Sequence, residues 1–286
     1  MANTPSVWTV LSMLEWATDF FEEKEIRSPR FSIEWLLADV LDVKRLDLYL
    51  MYDRPLSSEE LDALRPMVKR RSMHEPLQYI TGETDFLNVQ IKVEPGVLIP
   101  RQETEQLVDL ILKENKDKKD LNILDIGTGS GCIPVAIKKE RPDWNVYATD
   151  ISQEALEIAK GNAAYNEVDI TFFQDDLFDP QHIKPDYFDI IISNPPYIEP
   201  DEKDTLDKEV VEFEPELALF CESTDKMYKA LEAICRSSLK ENGTIYFELH
   251  HELGTKVTKL FDASDWSSET LKDLDEKKRF FKAKKA

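Results

Sequence analysis

The sequence predicts an α/β protein: a mostly parallel sheet with helices on both faces, preceded by a small all-α domain. Three observations predict it. Strand-like and helical patterns alternate from about residue 106 onward. A glycine-rich loop joins the first of those strands to the helix after it. Residues 1–75 carry helical periodicity and turn signals but no strand pattern. The chain has 286 residues, 42% of them hydrophobic, enough to bury at least one full core and a prior for two domains. The expected boundaries are a helical N-terminal domain at 1–75, a β-hairpin linker at 76–105 and the α/β domain at 106–286.

In the first segment, Thr4 and Pro5 read as a cap and first-turn proline, followed by a stripe of Val7, Leu11, Leu14 and Phe21. A second helix is expected from Ser28-Pro29, burying Ile33, Leu36, Leu37 and Val40. Ser57-x-x-Glu60 is a capping box opening a third helix with Leu61, Leu64 and Val68 on one face, bent or begun at Pro66. This segment reads either as a partner-docking surface or as a bundle that packs for its own sake. Phe86, Val89, Ile91 and Val93 then predict a strand, Glu94-Pro95-Gly96 a turn, and Val97–Ile99 a second short strand. Further strands are expected at 122–126, 146–149, 170–173, 188–192 and 244–249, with two more near Thr270 and Phe280. Helices are expected at 133–139 and over Ala155–Ala164, the latter capped by Ser152.

Composition narrows the function. The formal net charge is −21. Binders of the phosphate backbone usually carry a basic face, and here only Lys282, Lys284 and Lys285 form a small basic tail. Tight binding to duplex nucleic acid is disfavoured. No apolar run approaches the roughly 18 residues of a membrane span, and no basic residue precedes Lys24 to make a secretory signal. Cys132, Cys221 and Cys235 lack CxxC spacing and read as buried thiols in a reducing compartment. The cytoplasm is the expected location. His74, His182, His250 and His251 fit no zinc spacing, so no metal site is expected and a structural or surface role is.

Two loops carry the chemistry. Of eight glycines, three fall in Asp125-Ile126-Gly127-Thr128-Gly129-Ser130-Gly131, between a strand and a helix. Glycines there let the backbone turn tightly and approach a ligand, and the helix N-terminus adds oriented N–H groups. The GxGxG spacing departs from the dinucleotide GxGxxG, which disfavours a dehydrogenase. Asp125 would repel a pyrophosphate but can orient a cationic, amino-acid-bearing cofactor. Asp150, ending the next strand, is expected to accept hydrogen bonds from both ribose hydroxyls; the competing reading makes it a helix cap. Asp175-Asp176-Leu177-Phe178 reads either as an edge for an adenine or as a polar loop end.

The second loop, Asn194-Pro195-Pro196-Tyr197, follows an apolar strand. An amide nitrogen is a poor nucleophile because its lone pair is delocalised into the carbonyl. Methyl transfer from a sulfonium needs that lone pair aimed in line at the methyl carbon. The Asn194 side-chain oxygen and the Pro195 carbonyl can hold an NH₂ group in that attitude, the prolines stiffen the loop, and Tyr197 can stack on a planar amide or base. Two other readings remain: a nucleic-acid adenine-N6 amino-methyltransferase with the same acceptor loop, and a cofactor-binding scaffold without activity.

Taken together, the helical segment, Gln78-Tyr79-Ile80-Thr81-Gly82 with Phe86, Ile99-Pro100-Arg101-Gln102-Glu103-Thr104-Glu105, the glycine loop, Asp150 and Asn194–Tyr197 resemble the HemK/PrmC family of release factor glutamine methyltransferases. The resemblance covers nearly the whole chain. It implies a Rossmann-like seven-stranded S-adenosylmethionine-dependent methyltransferase sheet whose last strand is antiparallel. It implies transfer of a methyl group to the side-chain amide of the glutamine in the GGQ motif of peptide-chain release factors, leaving S-adenosylhomocysteine. By position, Gly127, Thr128, Gly129, Ser130, Gly131, Asp150, Leu177 and Asn194 would contact cofactor. Asn194, Pro195, Pro196 and Tyr197 would hold the glutamine, with Arg101 and Thr104 lining the same pocket. A cytoplasmic monomer is expected. Gln102 stands where the family usually has proline, Leu177 where an aromatic is common, and His250 where the family tends toward glycine.

Overall fold

A computed structural model describes residues 7–262 and 266–285. They form two compact units. One is the chain through Gly82 together with Asp207–Phe213; the other is Glu83–Leu206 with the chain from Glu214 onward. The first division falls at Gly82, where a break near residue 75 was expected.

The first unit is helical: Val10–Glu23, Pro29–Leu41, Ser58–Arg71, the short Leu77–Thr81 and a 3₁₀ turn at Arg45–Leu50. Thr4 and Pro5 lie outside the described residues. The first helix is capped by Thr9, whose side chain accepts from the Ser12 N–H while the Ser12 hydroxyl accepts from the Thr9 N–H. The buried stripe therefore starts at Val10 and runs through Met13, Leu14, Ala17 and Phe21, whereas Val7 precedes the helix and is exposed. Ser57 and Glu60 cap one another as expected, and Pro66 sits inside the helix they open. Glu209 and Asp207, from the returning segment, accept from Arg71 and Arg27.

The second unit begins with a hairpin, β1 (Glu83–Phe86) and β2 (Val89–Lys92), paired antiparallel. Val97–Ile99 is not a strand. Leu87, at φ 51°, and Asn88 close the hairpin one turn earlier than Glu94-Pro95-Gly96 suggested, so Phe86 and Val89 face each other as partners. Val97 and Ile99 are buried without a ladder.

A seven-stranded sheet follows: β3 (Asn122–Ile126), β4 (Asn145–Asp150), β5 (Thr171–Gln174), β6 (Phe188–Ser193), β7 (Leu239–Glu248), β8 (Trp266–Lys272) and β9 (Lys278–Lys285). Its order is β5-β4-β3-β6-β7-β9-β8. β3 to β7 pair in parallel, and β9 runs antiparallel to both its neighbours. The helices Gln102–Glu114, Cys132–Glu140, Gln153–Tyr165, Thr224–Ser238 and Gly254–Asp262 pack on the sheet. The chain builds outward from β3 to β5 and then crosses to β6 on the other side of β3. Ligands of such sheets bind beyond the carboxyl ends of the strands at that reversal. Among the described residues no helix is long and apolar enough to cross a membrane.

Candidate active site

Parallel pairing of β3 with β6 sets Ile126 opposite Ser193, and the Ser193 hydroxyl donates to the Ile126 carbonyl at 2.8 Å. The residues that follow, Gly127 and Asn194, are therefore launched side by side from adjacent strand ends. Both loops open into one cavity of about 690 Å³. Gly127, Thr128, Gly129, Ser130, Asp150, Leu177, Asn194, Pro195 and Pro196 line it, as do Arg101 and Thr104. Gly131 and Tyr197 do not.

The glycine loop has φ of 74° at Gly127, 52° at Gly129 and 79° at Gly131, a region that side-chain-bearing residues adopt at a cost. Gly131 is needed twice over, since a Cβ there would stand 2.9 Å from the Cβ of Ala159. Its role is to let two helices approach rather than to line the cavity. The Gly127 and Thr128 N–H groups both donate to the Thr149 carbonyl at 2.9 Å. Asp150 braces the same loop: Oδ2 accepts from Gly129 N–H at 2.8 Å and Oδ1 from Ser152 N–H at 2.9 Å. The helix cap is Ser152 itself, whose hydroxyl accepts from Ala155 N–H. A carboxylate has about four lone-pair sites, so Asp150 keeps acceptor capacity toward the cavity. Burial holds its carboxyl above the usual range, although backbone donors oppose the shift.

Beneath this loop Asp125 is buried; neither of its oxygens makes a well-formed hydrogen bond among the described residues, and the nearby Thr128 hydroxyl only partly offsets the burial. Burial pushes its carboxyl up to about 7. An orphaned carboxylate under a loop of close-approach glycines suits a cofactor that carries a positive amino group and no phosphate. Asn162 ties the loop down from the other side. Wholly buried, it donates to the carbonyls of Ser130 and Lys92 and accepts from Lys92 N–H.

On the acceptor side, Asn194 Nδ2 donates to Thr104 Oγ1 at 3.3 Å, and Thr104 Oγ1 donates to Glu248 Oε2 at 2.7 Å. Thr104 and Glu248 are both buried, and burial pushes the Glu248 carboxyl up to about 7. Arg101 lies just before the helix that carries Thr104 and pairs with the buried Glu214. Tyr197 is not among the residues that line the cavity, and its ring centre lies 5.9 Å from that of His250. Burial pushes its phenol up to about 12. Leu177 lines the cavity beside Asp176 and Phe178. The Asp175 carboxylate is engaged by the Gln181 and His182 N–H groups, which makes it a loop brace. All three cysteines are buried and free.

Sequence reasoning missed Glu248 and Asn162. Glu248 ends β7, the strand next to β6, so the carboxyl-end rule that found Asn194 also pointed to it. Asn162 sits in the last turns of the helix Gln153–Tyr165 between Gly161 and Ala163 and gives no local sign of its burial.

Comparison with known proteins points to one family. The family model described as PrmC N-terminal domain matches residues 12–82, and that described as methyltransferase small domain matches residues 88–216. The release factor glutamine methyltransferase of Flavobacterium psychrophilum is 40% identical over 257 residues, covering 88% of this chain and 89% of its own. That of Leptospira interrogans is 39% identical, covering 95% and 96%. Among solved structures, a ribosomal protein L11 methylase from Lactobacillus delbrueckii subsp. bulgaricus shares the fold, with a TM-score of 0.50 at 23% identity over 68% of this chain and 84% of that one. With that identity sustained over nearly the full length of both sequences, the chain belongs to the release factor glutamine methyltransferase family.

Proposed function

We propose that this protein transfers a methyl group from S-adenosylmethionine to the side-chain amide nitrogen of a glutamine in peptide-chain release factors. One observation carries the reading: the glycine loop and the Asn194-Pro195-Pro196 loop leave adjacent strand ends and open into the same cavity. S-adenosylmethionine supplies an electrophilic methyl carbon on a sulfonium.

The chain's own residues do the rest by placement. The loop Gly127–Gly131 approaches the cofactor with backbone alone, Asp150 accepts from ribose hydroxyls, and Asp125 favours the cationic amino group. Leu177 packs at the adenine side. Asn194 Oδ1 and the Pro195 carbonyl accept from the two N–H bonds of the glutamine amide, which turns its lone pair toward the methyl donor. The same acceptors stabilise positive charge as it grows on nitrogen, and the apolar cavity excludes water. No general base is assigned, because the proton leaves readily once nitrogen is quaternised. The helical unit is assigned to docking of the intact factor, in the cytoplasm where release factors work. Every assigned residue comes from one chain, so a monomer suffices.

The test is to incubate the protein with a release factor and methyl-labelled cofactor and map the label by mass spectrometry. Label on a single glutamine is expected; label on nucleic acid supplied in the same tube, and none on protein, would overturn the reading. Asn194→Ala is expected to abolish turnover while leaving cofactor affinity within about tenfold.

A further inference from the structure

The donor and acceptor inventory behind Asn194 fixes more than its position. A hydroxyl has one hydrogen to donate and lone pairs with which to accept. Thr104 commits its hydrogen to Glu248 Oε2. Toward Asn194 it presents lone pairs only, so the end of the carboxamide that meets it at 3.3 Å must be the NH₂. The Oδ1 end is left for the cavity that Asn194 lines, and among the described residues no donor engages it. Topology builds this chain of contacts in. Ser193 pairs with Phe247, which sets Asn194 and Glu248 side by side on neighbouring parallel strands. Glu248 is 2% exposed and Thr104 3%, so water does not compete for either hydrogen bond.

Orientation matters because a carboxamide is donor at one end and acceptor at the other. If Asn194 were flipped, its NH₂ would face the NH₂ of the substrate amide, donor against donor. We propose that Glu248 and Thr104 are positioning residues for the transfer: the buried carboxylate orients the threonine hydroxyl, which locks Asn194 with Oδ1 toward the acceptor nitrogen. The proposal rests on the glutamine-methylation reading given above.

It carries a pH signature. A protonated Glu248 has a hydrogen of its own to donate, and Thr104 is then free to turn its hydrogen on Asn194 and favour the flipped amide. The charged and titratable groups facing Glu248 are Arg279 from β9, Arg101 and Glu103 at the start of the helix Gln102–Glu114, the Tyr197 phenol, the buried Tyr228 phenol of the helix Thr224–Ser238, and the Cys132 thiol of the helix Cys132–Glu140. Arg279 and Arg101 favour the ionised form, Glu103 opposes it, and burial outweighs them. Turnover should therefore fall as pH drops through about 7.

The experiment compares wild type with Thr104→Val, Thr104→Ser and Glu248→Gln. Turnover on a release factor, binding of S-adenosylhomocysteine by calorimetry, and solvent exchange of the Asn194 side-chain amide protons by NMR are measured for each. Thr104→Val is expected to lower kcat about tenfold to a hundredfold, to leave product affinity within about twofold, and to speed Asn194 amide exchange. Thr104→Ser, which keeps the hydroxyl, should restore both. With cofactor saturating, so that Asp125 is held ionised against the cationic amino group, Glu248→Gln should remove the acidic limb of kcat. Unchanged turnover and unchanged exchange in a folded Thr104→Val variant would overturn the proposal, as would an unaltered acidic limb in Glu248→Gln. If wild type methylates no release factor, the functional reading fails instead. The exchange comparison still decides whether Thr104 holds the Asn194 amide.

Discussion

A carboxylate without a well-formed hydrogen bond is costly to keep ionised in a protein interior, and Asp125 is such a group. Its carboxyl sits at about 7 in the fold against 3.8 in an open chain, with burial as the main cause. The folded state therefore binds more protons than the unfolded one between those values. Asp125 contributes stability at low pH, and that contribution is lost as pH rises through about 7. Other carboxylates titrate too, so the difference between variant and wild type is the clean measure. The melting temperature of Asp125→Asn relative to wild type is expected to rise between pH 4 and pH 8, by at least about 2 °C. A difference that is flat with pH would show that Asp125 stays charged in the fold. At this scale Gly127, Gly129, Asp150, Leu177 and Asn194, singled out from the sequence as cofactor contacts, all line the cavity, because loop chemistry is local, whereas Gly131 serves helix approach instead. Tyr197 does not line the cavity, and its ring lies near that of His250, a neighbour distant in the chain that no local reading could supply.

Elements obey the same division between local and distant causes. Two glycines on neighbouring helices test it. Gly131 has φ 79° and no room beside Ala159; Gly161, inside the helix Gln153–Tyr165, is exposed and has nothing within 4 Å of an added Cβ. Gly131→Ala should cost about 2–4 kcal/mol, combining left-handed backbone strain with overpacking. Gly161→Ala should stabilise by up to about 1 kcal/mol through helix propensity. Urea midpoints with unchanged slopes would report both; similar effects from the two would mean the glycine loop does not depend on close helix approach. The sheet strands were legible to within a few residues because their apolar runs are short and bounded. The hairpin was not, because Leu87 adopts a left-handed conformation that its residue type does not advertise. In the segment between β6 and β7 the helices Lys208–Phe213 and Glu216–Leu219 are too brief to show a period, whereas the 15-residue helix Thr224–Ser238 was missed although Met227, Tyr228, Leu231, Ile234 and Cys235 form a buried helical stripe.

For the whole molecule, a helical first part and an alternating second part were visible in the periodicity, but the return of Asp207–Phe213 to the helical unit was not. That return depends on ion pairs from Arg27 and Arg71, far earlier in the chain, and no window of sequence contains both partners. It also shapes the test of docking. A chain lacking residues 1–82 loses the partners of Asp207 and Glu209 along with any docking surface, while the cavity residues all lie in the second unit. If the helical unit serves to hold the intact release factor, its removal should lower kcat/KM for that factor at least about tenfold more than for a short peptide carrying the same glutamine, since a peptide has no remote surface to lose. An equal loss on both substrates would mean that the unit acts only by supporting the segment Asp207–Phe213, and docking would have to be assigned to the α/β unit instead.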